Sequence, residues 1–280
     1  MYRALKRLNV LRLIWYNKAT MIVVFVFILG LFVGSFLNVV VYRLHRQESF
    51  VKGYSKCLFC GHRLYTKDLV PLFSYLFLKG HCRYCQQRFS HQYPLVELFT
   101  GLAFVLVFIK ILPSLDISVL GAKGILHLVD WWVIVSFLIV IFIYDLKYYL
   151  ILDSVIWPAV VLAFVANLVL GYDILGLLLA AVVGGGFFLL QFVVSKGKWI
   201  GGGDIRLGFL MGIILGWPNI LTALFIAYIF GSIISVALLL FNRKDWGDKV
   251  PFGTFLALAT FVTMLYGPSL VAWYWSLFNL

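Results

Sequence analysis

The chain has 280 residues, of which 63% are hydrophobic and 12% are charged, with a formal net charge of +12 and a mean hydropathy of +1.02. This balance excludes an ordinary soluble domain, because the apolar runs are too long and too uncharged for core elements, and their lack of alternation excludes an outer-membrane barrel. The basic residues cluster in loops, which favours a membrane topology over nucleic-acid binding. We therefore predict an all-α polytopic membrane protein with no nucleic-acid partner.

The apolar runs predict about eight transmembrane helices. They are expected at 21–42, 95–113, 130–146, 154–170, 174–195, 205–219, 220–241 and 252–275. Four parts follow: a basic N-terminal segment at 1–20, the first transmembrane helix at 21–42, a loop domain at 43–93 and a transmembrane core at 94–280. We expect the N-terminal segment either to lie on the membrane surface as an interfacial helix or to begin a signal sequence that is retained.

Basic residues lie mainly on one side of these spans, in the loop domain and in shorter turns. The turn residues on that side are Lys147, Lys196, Lys198, Arg206, Arg243, Lys244 and Lys249. Because loops rich in lysine and arginine face the cytoplasm, we expect the loop domain to be cytoplasmic.

The loop domain contains all four cysteines, in two Cys-x-x-Cys pairs that are Cys57 with Cys60 and Cys82 with Cys85. Two residues between thiolates let a tight turn aim both sulfurs at one tetrahedral ion, and Gly61 suits a turn that needs a positive φ. Disulfides or free thiols are the alternatives, and a reducing cytoplasm disfavours disulfides. We predict a structural zinc ion that folds a loop too small for a core of its own. The nearby histidines are expected to be solvated loop residues rather than ligands; they are His62, His81 and His91.

Four of the 11 acidic residues stand at helix ends on the cytoplasmic side, namely Glu97, Asp145, Asp153 and Asp204. Asp145 closes the third span, and Asp204 opens the sixth after three glycines in WIGGGDIRLG. An ionisable group at membrane depth is costly, so both aspartates are functional candidates, although either can serve simply as a helix cap. For Glu97 two interpretations stand equally: it binds a substrate amine or a basic partner, or it is only a charge at the membrane interface. Asp68 and the other acids are expected to be loop or interface charges.

Two carboxylates held close together support a specific chemistry. They cannot both ionise, so they share a proton, and the charged one activates water while the neutral one donates a proton to the carbonyl oxygen and then to the leaving amine. The glycines before Asp204 would give an extended peptide room to approach. Asp145 and Asp204 together therefore predict peptide hydrolysis by an aspartyl dyad.

Several segments, in this order, resemble the bacterial type IV prepilin peptidases, and GGGD at 201–204 matches the Gly-x-Gly-Asp signature of intramembrane aspartyl proteases. The segments are GLFVGSFLNVVVYRL at 30–44, CLFCGHRLYTKDLVPLFSYLFLKGHCRYC at 57–85, YPLVELFTG at 93–101, DLKYYLILD at 145–153, GGGDIRLG at 201–208 and PFGTFLA at 251–257. The chain departs from the family pattern at Gln92, Leu152, Arg206 and Thr254, where the family usually has arginine, proline, lysine and proline.

The resemblance implies a multi-pass enzyme of the bacterial cytoplasmic (inner) membrane with two activities. It would cut the basic leader from prepilin or pseudopilin substrates at the cytoplasmic face, and then methylate the new N-terminal amine with S-adenosylmethionine as methyl donor. By motif position, Asp145 and Asp204 would be the catalytic pair. The zinc ligands would be Cys57, Cys60, Cys82 and Cys85.

Two other classes of protein remain as alternatives. A proton-coupled transporter would use Asp145 and Asp204 as a relay, and it predicts internal repeats and carboxylates near the bilayer midplane. A scaffold would use the zinc loop to bind a partner and the aspartates only as caps. Whatever the function, the small residues Gly34, Ser35 and Asn38 are expected to form a helix-packing face on the first span.

Overall fold

The computed structural model describes residues 2–113, 120–241, 245 and 249–277, with side chains from residue 20 onward. The described chain is helical apart from loops and two isolated β-bridges. Its α-helices are α1 Tyr2–His45, α2 Phe73–Phe77, α3 Gln92–Ile111, α4 Ala122–Tyr148, α5 Asp153–Leu170, α6 Ile174–Ser195, α7 Gly202–Leu215, α8 Asn219–Leu240 and α9 Phe252–Ser276. Arg243 and Lys244, which support the predicted topology, lie outside the described residues.

Among the described residues, seven helices are long and apolar enough to cross a membrane, namely α3, α4, α5, α6, α8, α9 and residues Thr20–His45 of α1. They coincide with seven of the eight predicted spans. The remaining prediction, 205–219, corresponds to α7, which has 14 residues. At 1.5 Å per residue α7 is about 21 Å long, too short for a hydrocarbon core of roughly 30 Å.

The described chain divides into two compact units, Met1–Leu128 and Val129–Leu280. In the first unit α1 packs against α3 through small residues. A Cβ atom added to Gly30 would lie 2.7 Å from Cα of Gly101, and one added to Gly34 would lie 2.8 Å from Cα of Glu97. Such close backbone contact is the usual way in which helices associate in lipid, and it confirms the predicted packing role of Gly34.

In the second unit α7 is surrounded by α5, α6, α8 and α9. Its side chains Leu207, Leu210 and Met211 are fully buried. Its glycines allow α6 to approach closely, since a Cβ atom on Gly212 would lie 2.3 Å from the carbonyl oxygen of Ala180. A short helix at membrane depth is tolerated when protein covers it, so this packing explains why α7 need not span the bilayer.

Candidate active site and metal centre

Asp145 lies near the C-terminal end of α4 and is 5% exposed. Its carboxylate sits at the N-terminus of α9, where its Oδ2 accepts a 2.9 Å hydrogen bond from the backbone N–H of Thr254. The backbone N–H of Gly253 donates to the same carboxylate. Unpaired N–H groups and the helix dipole favour an anion at this position, so α9 provides a preformed site for a negative charge on Asp145.

Asp204 is the third residue of α7 and is 9% exposed. Its Oδ2 accepts a 3.1 Å hydrogen bond from the backbone N–H of Gly201, the residue that caps the helix. Asp204 therefore does cap its own helix, as the alternative interpretation expected. Capping uses one oxygen of the carboxylate and leaves the group available for chemistry.

The fold brings Asp145 and Asp204 together around Ile151. A Cβ atom on Gly203 would lie 2.9 Å from Cβ of Ile151, and one on Gly253 would lie 2.8 Å from its Cδ1. Ile151 thus packs against Gly203, which directly precedes Asp204, and against Gly253, which lies beside the carboxylate of Asp145. Ile151 therefore joins the two helix N-termini at which the acids lie, through Gly203 and Gly253.

The three glycines before Asp204 have different surroundings. Gly203 packs against Ile151, whereas a Cβ atom on Gly202 would meet no atom within 4 Å. Space for an approaching chain therefore lies beside Gly202. The other predicted acids are elsewhere: Asp153 forms an ion pair with Arg206, and Glu97 belongs to the first unit.

The four cysteines converge in the loop domain, and their Sγ atoms all lie within 4.8 Å of one another. All four are free thiols, and the Sγ atoms of Cys57 and Cys85 are 3.9 Å apart. A tetrahedral zinc ion with Zn–S bonds of about 2.3 Å requires sulfur separations of about 3.8 Å, so this geometry fits such an ion.

The two Cys-x-x-Cys turns have the same backbone structure. In the first, the N–H of Gly61 bonds to the carbonyl of Cys57, and in the second the N–H of Gln86 bonds to that of Cys82. In each turn the residue directly after the second cysteine has a positive φ, which is +71° at Gly61 and +59° at Gln86. The turn at Gly61 is as predicted, and Gln86 adopts a conformation that side chains disfavour. In the described part of the chain the cluster contains no histidine.

Asp68 joins two distant parts of the loop domain, a structural role that the sequence analysis did not predict. Its side chain is 2% exposed and accepts a 2.7 Å bond from Nε of Arg83. The hydroxyl of Tyr84 and the N–H of Tyr65 donate to its other oxygen. Burial acts to raise the pKa of Asp68, but the bonds from Arg83, Tyr65 and Tyr84 outweigh it and hold the pKa below its usual value.

Sequence reasoning missed the residues that support the carboxylates. Ile151 is an ordinary apolar residue in a short connection, and Thr254 contributes only its backbone N–H, so neither has a signal in its side-chain type. The PFGT segment was the available indication, because a proline followed by glycine before an apolar run marks a helix N-terminus.

Two family comparisons match the chain. Residues 28–111 match the Bacterial Peptidase A24 N-terminal domain, and residues 132–236 match the Type IV leader peptidase family. No solved structure matches.

Curated relatives match over nearly the full length. A prepilin leader peptidase/N-methyltransferase of Aeromonas salmonicida is 31% identical over 90% of this chain and 93% of the relative. A protein of the same name from Bacillus subtilis is 30% identical over 89% of this chain and 96% of the relative. One from Pseudomonas aeruginosa is 29% identical, covering 88% and 91%. These names support neither the transporter nor the scaffold alternative.

Proposed function

The chain belongs to the type IV leader peptidase family, and from that membership we propose that it cleaves the basic leader from prepilin-like proteins and N-methylates the new N-terminal residue. Asp145 and Asp204 are the catalytic pair in this proposal. The observation that supports it is that two buried carboxylates, one at the N-terminus of α9 and one at that of α7, lie at helix ends that both pack against Ile151. The protein is a multi-pass protein of the bacterial inner membrane.

The two carboxylates have different hydrogen-bond environments, which suits them to different roles. Asp145 accepts from the N–H groups of Gly253 and Thr254, so its negative charge is stabilised by two fixed donors. Asp204 accepts from Gly201 alone. We assign the charged form to Asp145, as the base that takes a proton from water, and the protonated form to Asp204, as the acid.

Peptide cleavage then proceeds without a covalent enzyme intermediate. Asp145 removes a proton from water as the oxygen attacks the scissile carbonyl carbon, and Asp204 donates its proton to the carbonyl oxygen. When the C–N bond breaks, the amine takes the proton that Asp145 gained, and a hydroxyl group of the tetrahedral intermediate returns a proton to Asp204 as the carboxylic acid forms. The open space at Gly202 is suited to the extended backbone on which this chemistry acts.

A prepilin substrate suits a site at the membrane rim. Its leader is basic and stays in water, while the segment that follows is an apolar helix that can lie in lipid. Asp145 is three residues from the end of α4 at Tyr148, so the scissile bond would fall at the interface between the two environments.

The cysteine cluster is proposed to hold one zinc ion through Cys57, Cys60, Cys82 and Cys85. Four thiolates close the coordination shell, so the ion would stabilise the loop domain rather than bind water for catalysis. The methyl donor of the second activity is proposed to be S-adenosylmethionine, which supplies an electrophilic methyl group when bound.

The test is mass spectrometry of a prepilin-type peptide after incubation with purified protein in detergent or lipid. The wild type should release the leader and add a single methyl group to the new N-terminus. Asp145→Asn and Asp204→Asn should each reduce the cleavage rate at least about 100-fold, the scale of a lost general acid or base.

Asp173→Asn is the matched control. Asp173 is exposed, caps α6 through the N–H of Gly176, and asparagine caps equally well. Its cleavage rate should equal that of the wild type. Near-normal cleavage by both Asp145→Asn and Asp204→Asn would rule out the aspartyl dyad.

A further inference from the structure

The short helix α2 of the loop domain presents three large apolar side chains on one face. Phe73, Leu76 and Phe77 have the i, i+3, i+4 spacing that places residues on one side of a helix, and they are 58%, 68% and 82% exposed. The rings of Phe73 and Phe77 stack with their centroids 6.5 Å apart. Neither the cysteine cluster nor the peptidase mechanism uses these residues. A contiguous apolar face of this kind marks a contact surface.

The opposite face of α2 is bonded to the rest of the first unit. Ser74 is buried, and its hydroxyl donates to the carbonyl of Lys67 at 3.1 Å. The hydroxyl of Tyr75 forms a 2.9 Å hydrogen bond with Nδ1 of His91, which directly precedes α3. The direction of the apolar face is therefore fixed by the protein, and the three side chains point away from the loop domain.

A contact to α3 sets the depth of α2 in the membrane. The backbone N–H of Leu72, the residue before α2, donates a 2.8 Å hydrogen bond to Oε2 of Glu97, a buried residue of α3. Since α3 has 20 residues, it is about 30 Å long, the thickness of a hydrocarbon core, so its first residue lies near the boundary of that core. Glu97 follows Gln92 by five residues and lies about 7.5 Å further in.

The whole of α2 stays close to that level. It has five residues and is about 7.5 Å long, so it would end near the hydrocarbon boundary even if it pointed straight towards water. Interfacial helices bury their apolar face about 5–10 Å into the boundary between headgroups and acyl chains. The position of α2 beside Glu97 falls within this range.

The contact between Leu72 and Glu97 depends on a strained backbone. Leu72 has φ +59° and ψ −50°, and the N–H of Phe73 bonds to the carbonyl of Pro71 at 2.6 Å. This is a γ-turn in a conformation that residues with side chains rarely adopt. Strain of this kind persists where the surrounding structure requires it. Here the turn brings the N–H of Leu72 to Glu97 and starts α2 at the next residue.

Positive charge flanks the apolar face. Lys67 and Lys79 stand on either side of α2 in the chain, and both are exposed. Asp68 is the one acid between them in the sequence, and its carboxylate is already bonded to Arg83 and Tyr84. An apolar face with lysines at its edges suits a membrane surface that contains anionic phospholipids.

We propose that α2 inserts Phe73, Leu76 and Phe77 among the acyl chains of the leaflet on its side of the membrane, with Lys67 and Lys79 at the phospholipid headgroups. Lipid is the occupant because α2 lies at acyl-chain depth. The face is also small: three such side chains expose a few hundred square ångströms, against the roughly 800 Å² per partner of a stable protein interface. The loop domain is thus anchored in the bilayer, a property that neither cleavage nor methylation requires.

The test is photocrosslinking of the full-length, zinc-loaded protein, illuminated both in bacterial membranes and in proteoliposomes. The photoreactive analogue p-benzoylphenylalanine is placed at Phe77, and mass spectrometry identifies the molecule that it captures. We expect phospholipid adducts at a yield within about twofold of that at Phe99, because both side chains would face acyl chains. Phe99 is 61% exposed on the membrane-spanning helix α3.

Phe59 is the matched control within the loop domain. It is 60% exposed but lies in the first cysteine turn, between Lys56 and Arg63, which form a β-bridge. Its yield of lipid adducts should be at least about fivefold below that at Phe77. Equal yields at Phe77 and Phe59 would overturn the proposal, as would capture of another protein or of a second copy of this chain at Phe77 in place of lipid. The analogue at Leu76 gives an independent measurement if the variant at Phe77 fails to fold.

The two lysines are tested through lipid composition. Replacing about one third of the phosphatidylcholine in the liposomes by phosphatidylglycerol should raise the yield of lipid adducts at Phe77. Lys67→Gln combined with Lys79→Gln should abolish this increase. Lys196→Gln combined with Lys198→Gln removes the same charge from the second unit and should preserve the increase. A yield that does not respond to anionic lipid in the wild-type background would contradict the role proposed for the lysines.

Discussion

The backbone N–H of Thr254 donates a 2.9 Å hydrogen bond to Oδ2 of Asp145, across 109 positions of sequence. The contact places a carboxylate from the end of α4 on the N-terminus of α9. It satisfies a backbone donor that the helix itself cannot pair, and it stabilises the charge on Asp145. The position of the proposed base is therefore tied to the start of the last helix.

Removing this donor tests how far the base depends on it. Thr254→Pro deletes the N–H at a first-turn position where a helix tolerates proline, and the family pattern that this chain resembles has proline there. We therefore expect Thr254→Pro to cleave within about threefold of the rate of Thr254→Ala, because the other N–H groups at the N-terminus of α9 still favour the charge on Asp145. The measurement is the rate of leader release from a prepilin-type peptide.

Thr254→Ala is the control for Thr254→Pro, because it loses the hydroxyl bond to the carbonyl of Pro251 but keeps the N–H. Both proteins are first compared by thermal unfolding. A rate for Thr254→Pro at least about tenfold below that of Thr254→Ala, with both variants folded, would show that this chain depends on a donor that the family pattern lacks.

Adding a methyl group at Gly253 should displace Asp145. The new Cβ atom would lie 2.9 Å from Oδ2 of Asp145 and 2.8 Å from Cδ1 of Ile151, closer than such atoms approach. Small misplacement of a catalytic group is costly, and we expect Gly253→Ala to cleave at least about tenfold more slowly. Gly186→Ala is the matched control, since a Cβ atom there meets nothing within 4 Å. A normal rate for Gly253→Ala would mean that the pair tolerates this shift.

Metal analysis should find about one zinc ion per chain. Cys82 is 1% exposed, and Cys82→Ser should lose most of the zinc and make the loop at 43–93 sensitive to protease, because the ion contributes folding free energy. His62→Gln should retain the metal, since His62 stacks on Tyr84 with ring centroids 3.7 Å apart rather than joining the cluster. A folded, active preparation without zinc would contradict the proposed metal centre.

The carboxylate of Asp68 should make the loop domain sensitive to acid. Its pKa is lower in the folded chain than in the unfolded one, so its stabilising contribution is full above the unfolded pKa of about 3.9 and is lost as the pH falls through the folded value. At pH 7 we expect Asp68→Asn to lower the free energy of unfolding by about 1–3 kcal/mol. The comparison with the wild type removes the separate effect of acid on the cysteines.

Thermal unfolding of both proteins between pH 7 and pH 3 provides the measurement, with the zinc content checked at each pH. The gap between wild type and Asp68→Asn should narrow below about pH 4. A gap that is constant across this range would show that the charge of Asp68 is not what stabilises the loop.

The sequence predicted the membrane class, seven of the spans, the convergence of the cysteines and the position of Asp145 and Asp204 at helix ends. Each of these predictions rests on a local sequence pattern: a long apolar run, a Cys-x-x-Cys spacing, or an acid at the end of a span. The eighth predicted span, at 205–219, is the 14-residue helix α7, which is not among the described helices long enough to cross a membrane. Hydropathy does not distinguish a segment covered by lipid from one covered by protein, and α7 is covered by α5, α6, α8 and α9.

The interpretation of Asp68 as a loop or interface charge missed its structural role for a related reason. A charged residue in a polar loop is usually exposed, and nothing local shows that Arg83 and Tyr84 from the second cysteine turn will surround it. Its partners lie 15 and 16 positions away, and only folding of the loop brings them together.

Composition and the order of motifs were thus sufficient to define a helical membrane protein with a cysteine cluster and two aspartates of interest. The tertiary structure decided which backbone groups those aspartates contact, that Ile151 packs against Gly203 and Gly253 beside them, and that Glu97 lines a cleft in the first unit. The reason is physical: apolarity and short spacings act within a segment, whereas a carboxylate's partner is a backbone N–H whose position is set by the packing of distant helices.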